Sequence, residues 1–218
     1  VEPFHARQIY RWIYRRGLER FDGMTDLSLG VREQLKAALT LTTPVVRARE
    51  QSWDGTQKFL LTLADGLTIE SVFIPDTPAM TFCVSTQVGC AMRCGFCLTG
   101  QMGLARNLSA GEIAGQVRVL ARELELQDRR FNIVLMGMGE PLFNYDNVAK
   151  SLHIIMDGDG LAISKRRITL STSGVVPMIE RVGAELGVGL AISLHAPNDD
   201  QKFAPYVGEG NAIWVAVE

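Results

Sequence analysis

Three of the four cysteines in this chain, Cys90, Cys94 and Cys97, form the spacing C-x3-C-x2-C within the run from Val88 to Cys97. Three thiolates so placed can hold three irons of a 4Fe-4S cluster and leave the fourth iron without a protein ligand, open to a substrate or cofactor. A zinc site is the competing reading. It lacks the paired C-x2-C arrangement usual for structural zinc, and its fourth ligand would have to be Cys83 or a distant histidine. Three buried thiols without a cofactor are a further alternative, though Gly89, Arg93 and Gly95 suit a loop better than a packed core. Cys83 itself, alone in an apolar strand, reads as a small core hydrophobe. The other polar groups with chemical potential are Glu70 in an apolar strand, Glu140 in Gly137-Met138-Gly139-Glu140-Pro141, Ser171 in Ser171-Thr172-Ser173-Gly174, and the run Ser193-Leu194-His195. Each also has a plain structural reading: a solvent-facing strand residue for Glu70, a helix cap for Glu140, a turn former for the serines, a satisfied core histidine for His195.

Groups so far apart in sequence need a frame that brings them together. From Phe4 to about Leu39 apolar residues recur at three and four, with Asp22-Gly23 and Leu29-Gly30 as breaks, which predicts a small helical domain. Val45-Val46, Lys58 to Leu63 and Thr68 to Ile74 read as strands, with Asp54-Gly55 and Asp65-Gly66 as turns, together a small antiparallel β segment. After Pro75 the rhythm becomes strand, loop, helix. Strands are predicted at 81–85, 132–136, 167–170 and 189–192. Helices run from the capping box Ser109-Ala110-Gly111-Glu112 to about Leu126, from about Asn147 to Met156, and onward from Pro177. The fold class is α/β: a parallel sheet with right-handed crossovers whose four units make about half of an eight-unit barrel. The expected divisions are 1–42, 43–78, 79–200 and a divergent tail, 201–218. In such folds chemistry collects after the carboxyl ends of the strands. The cysteine loop, Glu140, Ser171 and His195 follow strands one to four in turn.

With 218 residues, 47% of them hydrophobic, the chain can bury a core. Its net charge of -2 removes any argument from bulk basicity toward nucleic acid, so a basic site must be local. Arg7, Arg11 and Arg15 at four-residue spacing and the cluster Lys165-Arg166-Arg167 could track phosphates, or simply be solvated faces. Cysteines crowded between Cys83 and Cys97 suit a reducing compartment, and there is no long apolar run or secretory pattern. A soluble, cytoplasmic protein with no membrane partner is expected. The start, already helical in pattern by Phe4, reads as a cut.

C-x3-C-x2-C with Phe96 before the last cysteine resembles the radical S-adenosylmethionine signature, and Gly137 to Pro141 is similar to that superfamily's glycine-rich motif. More narrowly, Gln8 to Tyr14, Cys83 to Cys90, Gly103 to Leu108, Lys165 to Pro177 and Leu190 to Asn198 resemble the RlmN/Cfr family of adenine methyltransferases. The likeness covers roughly residues 4 to 200.

The resemblance implies an incomplete (β/α) barrel of radical SAM type, with the N-terminal helices as an RNA-engaging accessory domain. It implies a 4Fe-4S cluster on Cys90, Cys94 and Cys97, and S-adenosyl-L-methionine contacted by Gly139, Glu140, Ser171, Ser193, Leu194 and His195. An external electron donor such as flavodoxin would reduce the cluster. The implied substrates are 23S rRNA and tRNA, the implied product adenine methylated at C2, and the implied state a monomer. In the family a methyl group is relayed through a C-terminal cysteine. There Glu70 matches the proton acceptor and Cys83 the thiol that resolves a protein–RNA thioether. Methylation at C8, as in the other branch of the family, and a non-catalytic 4Fe-4S or RNA-binding fragment are the alternatives. The departures are specific: Gln201 to Glu218 does not follow the family pattern, and no cysteine occurs after Cys97. The methyl carrier is therefore missing, and the 218 residues alone are expected to be inactive in methylation.

Overall fold

A computed structural model describes residues 3–75, 79–194 and 213–217 of the protein. Its buried apolar residues fall into two clusters, each closed by a different part of the chain. The smaller gathers Phe21, Met24, Leu27 and Leu35, with Ile9, Trp12, Ile13 and Val31 packed against them. These come from α1 (Pro3–Tyr10), a π-helical turn (Arg11–Arg15), a 3-10 turn (Phe21–Gly23) and α2 (Leu29–Ala38). Leu29-Gly30 is not the break that its glycine suggests. Ser28 caps α2, its hydroxyl accepting from the Val31 amide at 3.3 Å, and the helix begins at Leu29.

The larger cluster lies on one face of an eight-stranded sheet. β1 (Val45–Gln51), β2 (Gln57–Thr62) and β3 (Thr68–Ile74) are antiparallel, and β3 pairs antiparallel with β4 (Thr81–Cys83) through Val72 and Cys83. The antiparallel strands are thus the edge of the main sheet, where sequence reading makes them a small sheet of their own. A separate two-stranded sheet follows, β5 (Gln87–Gly89) with β6 (Leu104–Asn107), enclosing the short α3 (Leu98–Gln101). Next come α4 (Ala110–Glu123), β7 (Asn132–Leu135), α5 (Tyr145–Met156), β8 (Ile168–Thr172), α6 (Val176–Glu185) and β9 (Gly189–Leu194). β4, β7, β8 and β9 are parallel neighbours in that order, the expected four units. β10 (Ile213–Val217) pairs antiparallel with β9, a strand that sequence reading does not anticipate.

Register decides which face each residue occupies, because side chains alternate along a strand. Phe73, Phe82, Ile133 and Ile168 are paired in turn across four strands and share the core with Ile113, Val117 and Leu120 of α4 and Val148, Leu152 and Ile155 of α5. The next row, Val72, Cys83, Val134 and Thr169, lies on the opposite face. Glu70 precedes Val72 by two, Ser171 follows Thr169 by two, and Ser193 follows Ala191, the partner of Ser171, by two. Glu70, Cys83, Ser171 and Ser193 therefore share the face that the helices leave open.

The stripe Arg7, Arg11, Arg15 does not stand free for phosphates. Arg7 and Arg11 both pair with Asp159, and Arg15 donates to the Gly158 carbonyl at 3.1 Å, docking the N-terminal helices on the turn after α5. Among the described residues no helix is long and apolar enough to cross a membrane.

Candidate active site at the carboxyl ends of the strands

The cysteine loop is held at its base by the β5–β6 pair. Gly89 faces Leu104 in the register, and the Cys90 amide donates to the Gly103 carbonyl at 3.0 Å. Gly89 has φ +77°, and a methyl group there would stand 1.8 Å from that carbonyl oxygen, so no other residue fits. Inside the loop the Cys97 amide donates to the Cys94 carbonyl at 3.1 Å. The Met92 amide points at the Cys90 sulfur at 3.5 Å. Cys90 is buried, while Cys94 and Cys97 are half-buried.

Burial pushes the Cys90 thiol pKa up; the Met92 amide opposes this, and Cys94, Cys97 and Glu140 add to it by charge repulsion. Cys90, Cys94 and Cys97 are three soft sulfur donors on one loop, and Glu140 comes from a separate loop tied to its base through Gln87. A cationic iron–sulfur cluster turns the same repulsion into attraction, so the donor set fits one. Among the described residues no three His, Cys, Asp or Glu side chains already close on a single metal-binding point. The thiols are grouped along the loop without being locked together.

Glu140 is 3% exposed and well anchored. Its amide donates to Gln87 Oε1 at 2.9 Å, and Gln87 in turn donates to Asn107 Oδ1 at 2.7 Å, which ties the strand-end loop to the base of the cysteine loop. Oε1 accepts from the Leu142 amide at 3.0 Å, capping the 3-10 turn Pro141–Asn144. Oε2 accepts from the Ser173 amide at 2.8 Å and hydroxyl at 2.9 Å. The cap reading holds here: the cap uses one oxygen and leaves the second to Ser173. About four lone pairs serve a carboxylate, so one acceptor position remains for an incoming ammonium. Gly139 has φ +105°, and a methyl group there would meet the Gln87 side chain at 2.6 Å.

The remaining predicted residues take varied positions. Ser171 is largely buried in β8 on the open face, and its hydroxyl makes no hydrogen bond to another described residue. Ser193 is half-buried in β9. The side chain of Leu194 and all of His195 lie outside the described residues. Glu70 is half-exposed, with Lys58 Nζ at 3.3 Å, and Lys58 also lies 3.2 Å from Glu50, a charged row across β1, β2 and β3. Hydrogen bonds to Glu50 and Glu70 raise the Lys58 pKa. The Glu70 backbone reaches the same loops as Glu140, its carbonyl accepting from Ser85 Oγ at 2.6 Å while Ser85 Oγ accepts from the Met138 amide at 2.8 Å. Cys83 is half-buried, and desolvation pushes its thiol up to about 11, with the Met136 amide opposing.

Sequence reasoning misses the groups that hold these loops in place. Ser173, not Ser171, reaches Glu140. Gln116 of α4 is fully buried, its Oε1 accepting from Ser71 Oγ and the Ser85 amide, each at 2.8 Å, and its Nε2 donating to the Ser85 carbonyl at 2.9 Å. Asn144 donates to the carbonyls of Thr86 and Leu108 at 2.7 and 2.8 Å. The one signal for Gln116 is a polar residue between Ile113, Val117 and Leu120 on a core-facing helix stripe.

Comparison with known proteins agrees with this geometry. Residues 84–215 match the model of the radical SAM superfamily, and residues 1–41 match that of the ribosomal RNA large subunit methyltransferase N-terminal domain. A curated relative from Zymomonas mobilis, the dual-specificity RNA methyltransferase RlmN, is 50% identical over 197 residues, covering 88% of this chain and 50% of that protein. The chain thus spans about half the length of that relative. The crystal structure of a radical SAM methyltransferase from Sphaerobacter thermophilus superposes with a TM-score of 0.84 at 45% identity, covering 93% of this chain and 60% of that one. S-adenosylmethionine and a 4Fe-4S cluster are the cofactors that this family implies. The chain belongs to the radical SAM superfamily, on its RlmN/Cfr branch.

Proposed function

We propose that this chain is the cluster- and cofactor-binding part of an RNA methyltransferase that acts at C2 of an adenine in 23S rRNA and tRNA through a methyl-cysteine relay. The observation that carries the reading is that Glu140 is tied through Gln87 to the β5–β6 pair on which the cysteine loop stands. Cys90, Cys94 and Cys97 would hold the cluster. When bound, cluster and cofactor supply radical chemistry by one-electron cleavage of the sulfonium.

This chain's residues have the task of holding the reacting parts still. Glu140 would accept a hydrogen bond from the methionyl ammonium with the position that Leu142 and Ser173 leave free. Gly139 would contribute its backbone, its missing side chain making room for Gln87, and Ser171 and Ser193 would offer hydroxyls on the open face of the sheet. Leu194 and His195 would complete the cofactor contacts. Glu70 would take up the proton from the adenine adduct, and Cys83 would resolve the protein–RNA thioether as a thiolate after losing its own proton. No cysteine follows Cys97, so the 218 residues by themselves are expected not to methylate. A cytoplasmic monomer served by a flavodoxin-class electron donor completes the reading.

Anaerobic reconstitution with iron and sulfide, then dithionite and S-adenosylmethionine, tests it. The expected result is a brown protein that forms 5'-deoxyadenosine. E140Q should retain the cluster absorbance and bind the cofactor about tenfold or more weakly, the worth of one charge-assisted hydrogen bond. A cluster that never yields 5'-deoxyadenosine would instead make the chain a non-catalytic iron–sulfur module, and a zinc-loaded protein would remove the cluster altogether.

A further inference from the structure

The basic residues that the fold gathers lie at the other end of the sheet. A cleft of about 700 Å³ opens between the N-terminal helices and the half-barrel, walled by the π-helical turn, the end of α4, the connection into β7 and the loop into β8. Seven arginines line it against two carboxylates, Glu19 and Asp128, in a chain whose net charge is -2. Some of that charge is already spent: Arg122 pairs with Glu19, and Arg15 donates to the Gly158 carbonyl.

Arg118, Arg129 and Arg130 are different. The guanidinium of Arg118 lies against the Tyr14 ring, 5.7 Å from its centroid, and its Nε is buried without a hydrogen-bond partner. Elsewhere on the same guanidinium, Nη2 makes a long hydrogen bond, 3.5 Å, to the Leu18 carbonyl. Arg129 and Arg130 stand exposed on the rim with no ion pair among the described residues. A half-buried guanidinium with an unsatisfied Nε beside further cations is costly, and an anion entering the cleft relieves both the desolvation and the repulsion. The planar fork of arginine matches phosphate in particular, donating to two oxygens at once.

Position rules out the chemistry of Glu140 for this cleft. Phe131 and Arg167, both in its wall, immediately precede β7 and β8, so it lies at the amino ends of the strands whose carboxyl ends carry the site. The four residues of β7 alone separate the two by about 13 Å. A ligand here is gripped, not transformed.

We propose that this arginine-lined cleft is a phosphate-binding site that holds backbone phosphates of the RNA away from the reacting base; the choice of RNA rests on the methyltransferase reading above. Free polyphosphate shares the chemistry and is the alternative source. The test uses the full chain, a short fluorescent RNA hairpin, inorganic tripolyphosphate and the double variant R129E/R130E, with thermal melts confirming that the exposed substitutions leave the fold intact. R118Q, which keeps a donor but removes the charge, is the second variant. The expected result is RNA binding about tenfold weaker in R129E/R130E, with a log–log salt slope shallower by about two, one for each arginine that no longer neutralises a phosphate. R118Q should weaken binding in the same direction, and tripolyphosphate should compete with the hairpin on the unmodified chain. Unchanged RNA affinity and salt slope in both variants overturns the cleft as an RNA site while leaving the methyltransferase reading standing. If only tripolyphosphate binding falls, the ligand is a free polyphosphate and the RNA assignment fails. If the unmodified chain binds no hairpin at all, the RNA reading of the site fails too.

Discussion

The surroundings of Cys83 keep its thiol neutral, against the nucleophilic role proposed for it. Its burial holds the folded-state thiol at about 11 where the ordinary value is 9.0. A raised thiol pKa means that the folded chain keeps a proton which the unfolded chain gives up first. The stabilisation is therefore complete below about pH 9 and is lost as the pH climbs toward 11. The same shift predicts the labelling behaviour. Iodoacetamide should modify Cys83 slowly at neutral pH, with a rate that climbs until about pH 11, as read by peptide mass spectrometry. A rate already at its plateau near pH 9 would mean that the thiol is not shielded as its burial implies. Glu140 shows how far single residues were legible. A carboxylate after a strand-end glycine pair is visible in sequence, but its partner is not. Ser173 lies one residue beyond the end of β8, where strand alternation no longer says which way a side chain turns.

At the scale of elements, the decisive device is the β5–β6 pair beneath the cysteine loop. Its strands are three and four residues long, too short for a period of two to stand out, and β6 carries almost no buried side chain. Sequence reading therefore passes from strand directly to loop and omits the pair. Its trace in the sequence is the glycine at each end: Gly89 and Gly103 both have positive φ. G89A should break it, since a methyl group 1.8 Å from a carbonyl oxygen forces the backbones apart on top of about 1–2 kcal/mol for the left-handed conformation. The expected outcome is a chain that melts several degrees lower and takes up iron poorly, checked by calorimetry and by iron content after reconstitution. The longer elements were read well because burial imposes a clear period on them, as in the alternation of β3 or the capped, core-facing α4. Gln116 and Asn144 escape such reading, since a buried amide is recognised by the carbonyls it meets and those are set by the tertiary fold.

At the scale of the whole molecule, one sheet carries both the antiparallel edge and the parallel half-barrel, and the N-terminal helices are fastened to it by Tyr14, by Arg122 with Glu19 and by the Asp159 pairs. Asp159 receives both Arg7 and Arg11, whose side chains are 71% and 50% exposed. Exposed pairs contribute only about 0–1 kcal/mol each, so this fastening is weak and salt-dependent. D159N should leave the half-barrel intact, lower the melting temperature by only a few degrees, and speed hydrogen exchange in α1 and the turn that follows. Because the arginine-lined cleft exists only while those helices are docked, the same variant should weaken RNA binding without touching the cysteine loop. The stripe of arginines illustrates why function at this scale was hard to read from sequence: spacing marks a common face, and only the fold reveals that a single aspartate answers two of its members.

The clasp under the cysteine loop also governs how a cluster is acquired. With the loop's ends pinned by Cys90 and Gly103, the three thiols stay within one short segment, and if one sulfur captured an iron the others would meet it at an effective concentration on the order of millimolar. Loading and loss become local events in a surface loop, so the sheet behind it can stay folded through repeated cycles of cluster damage and repair.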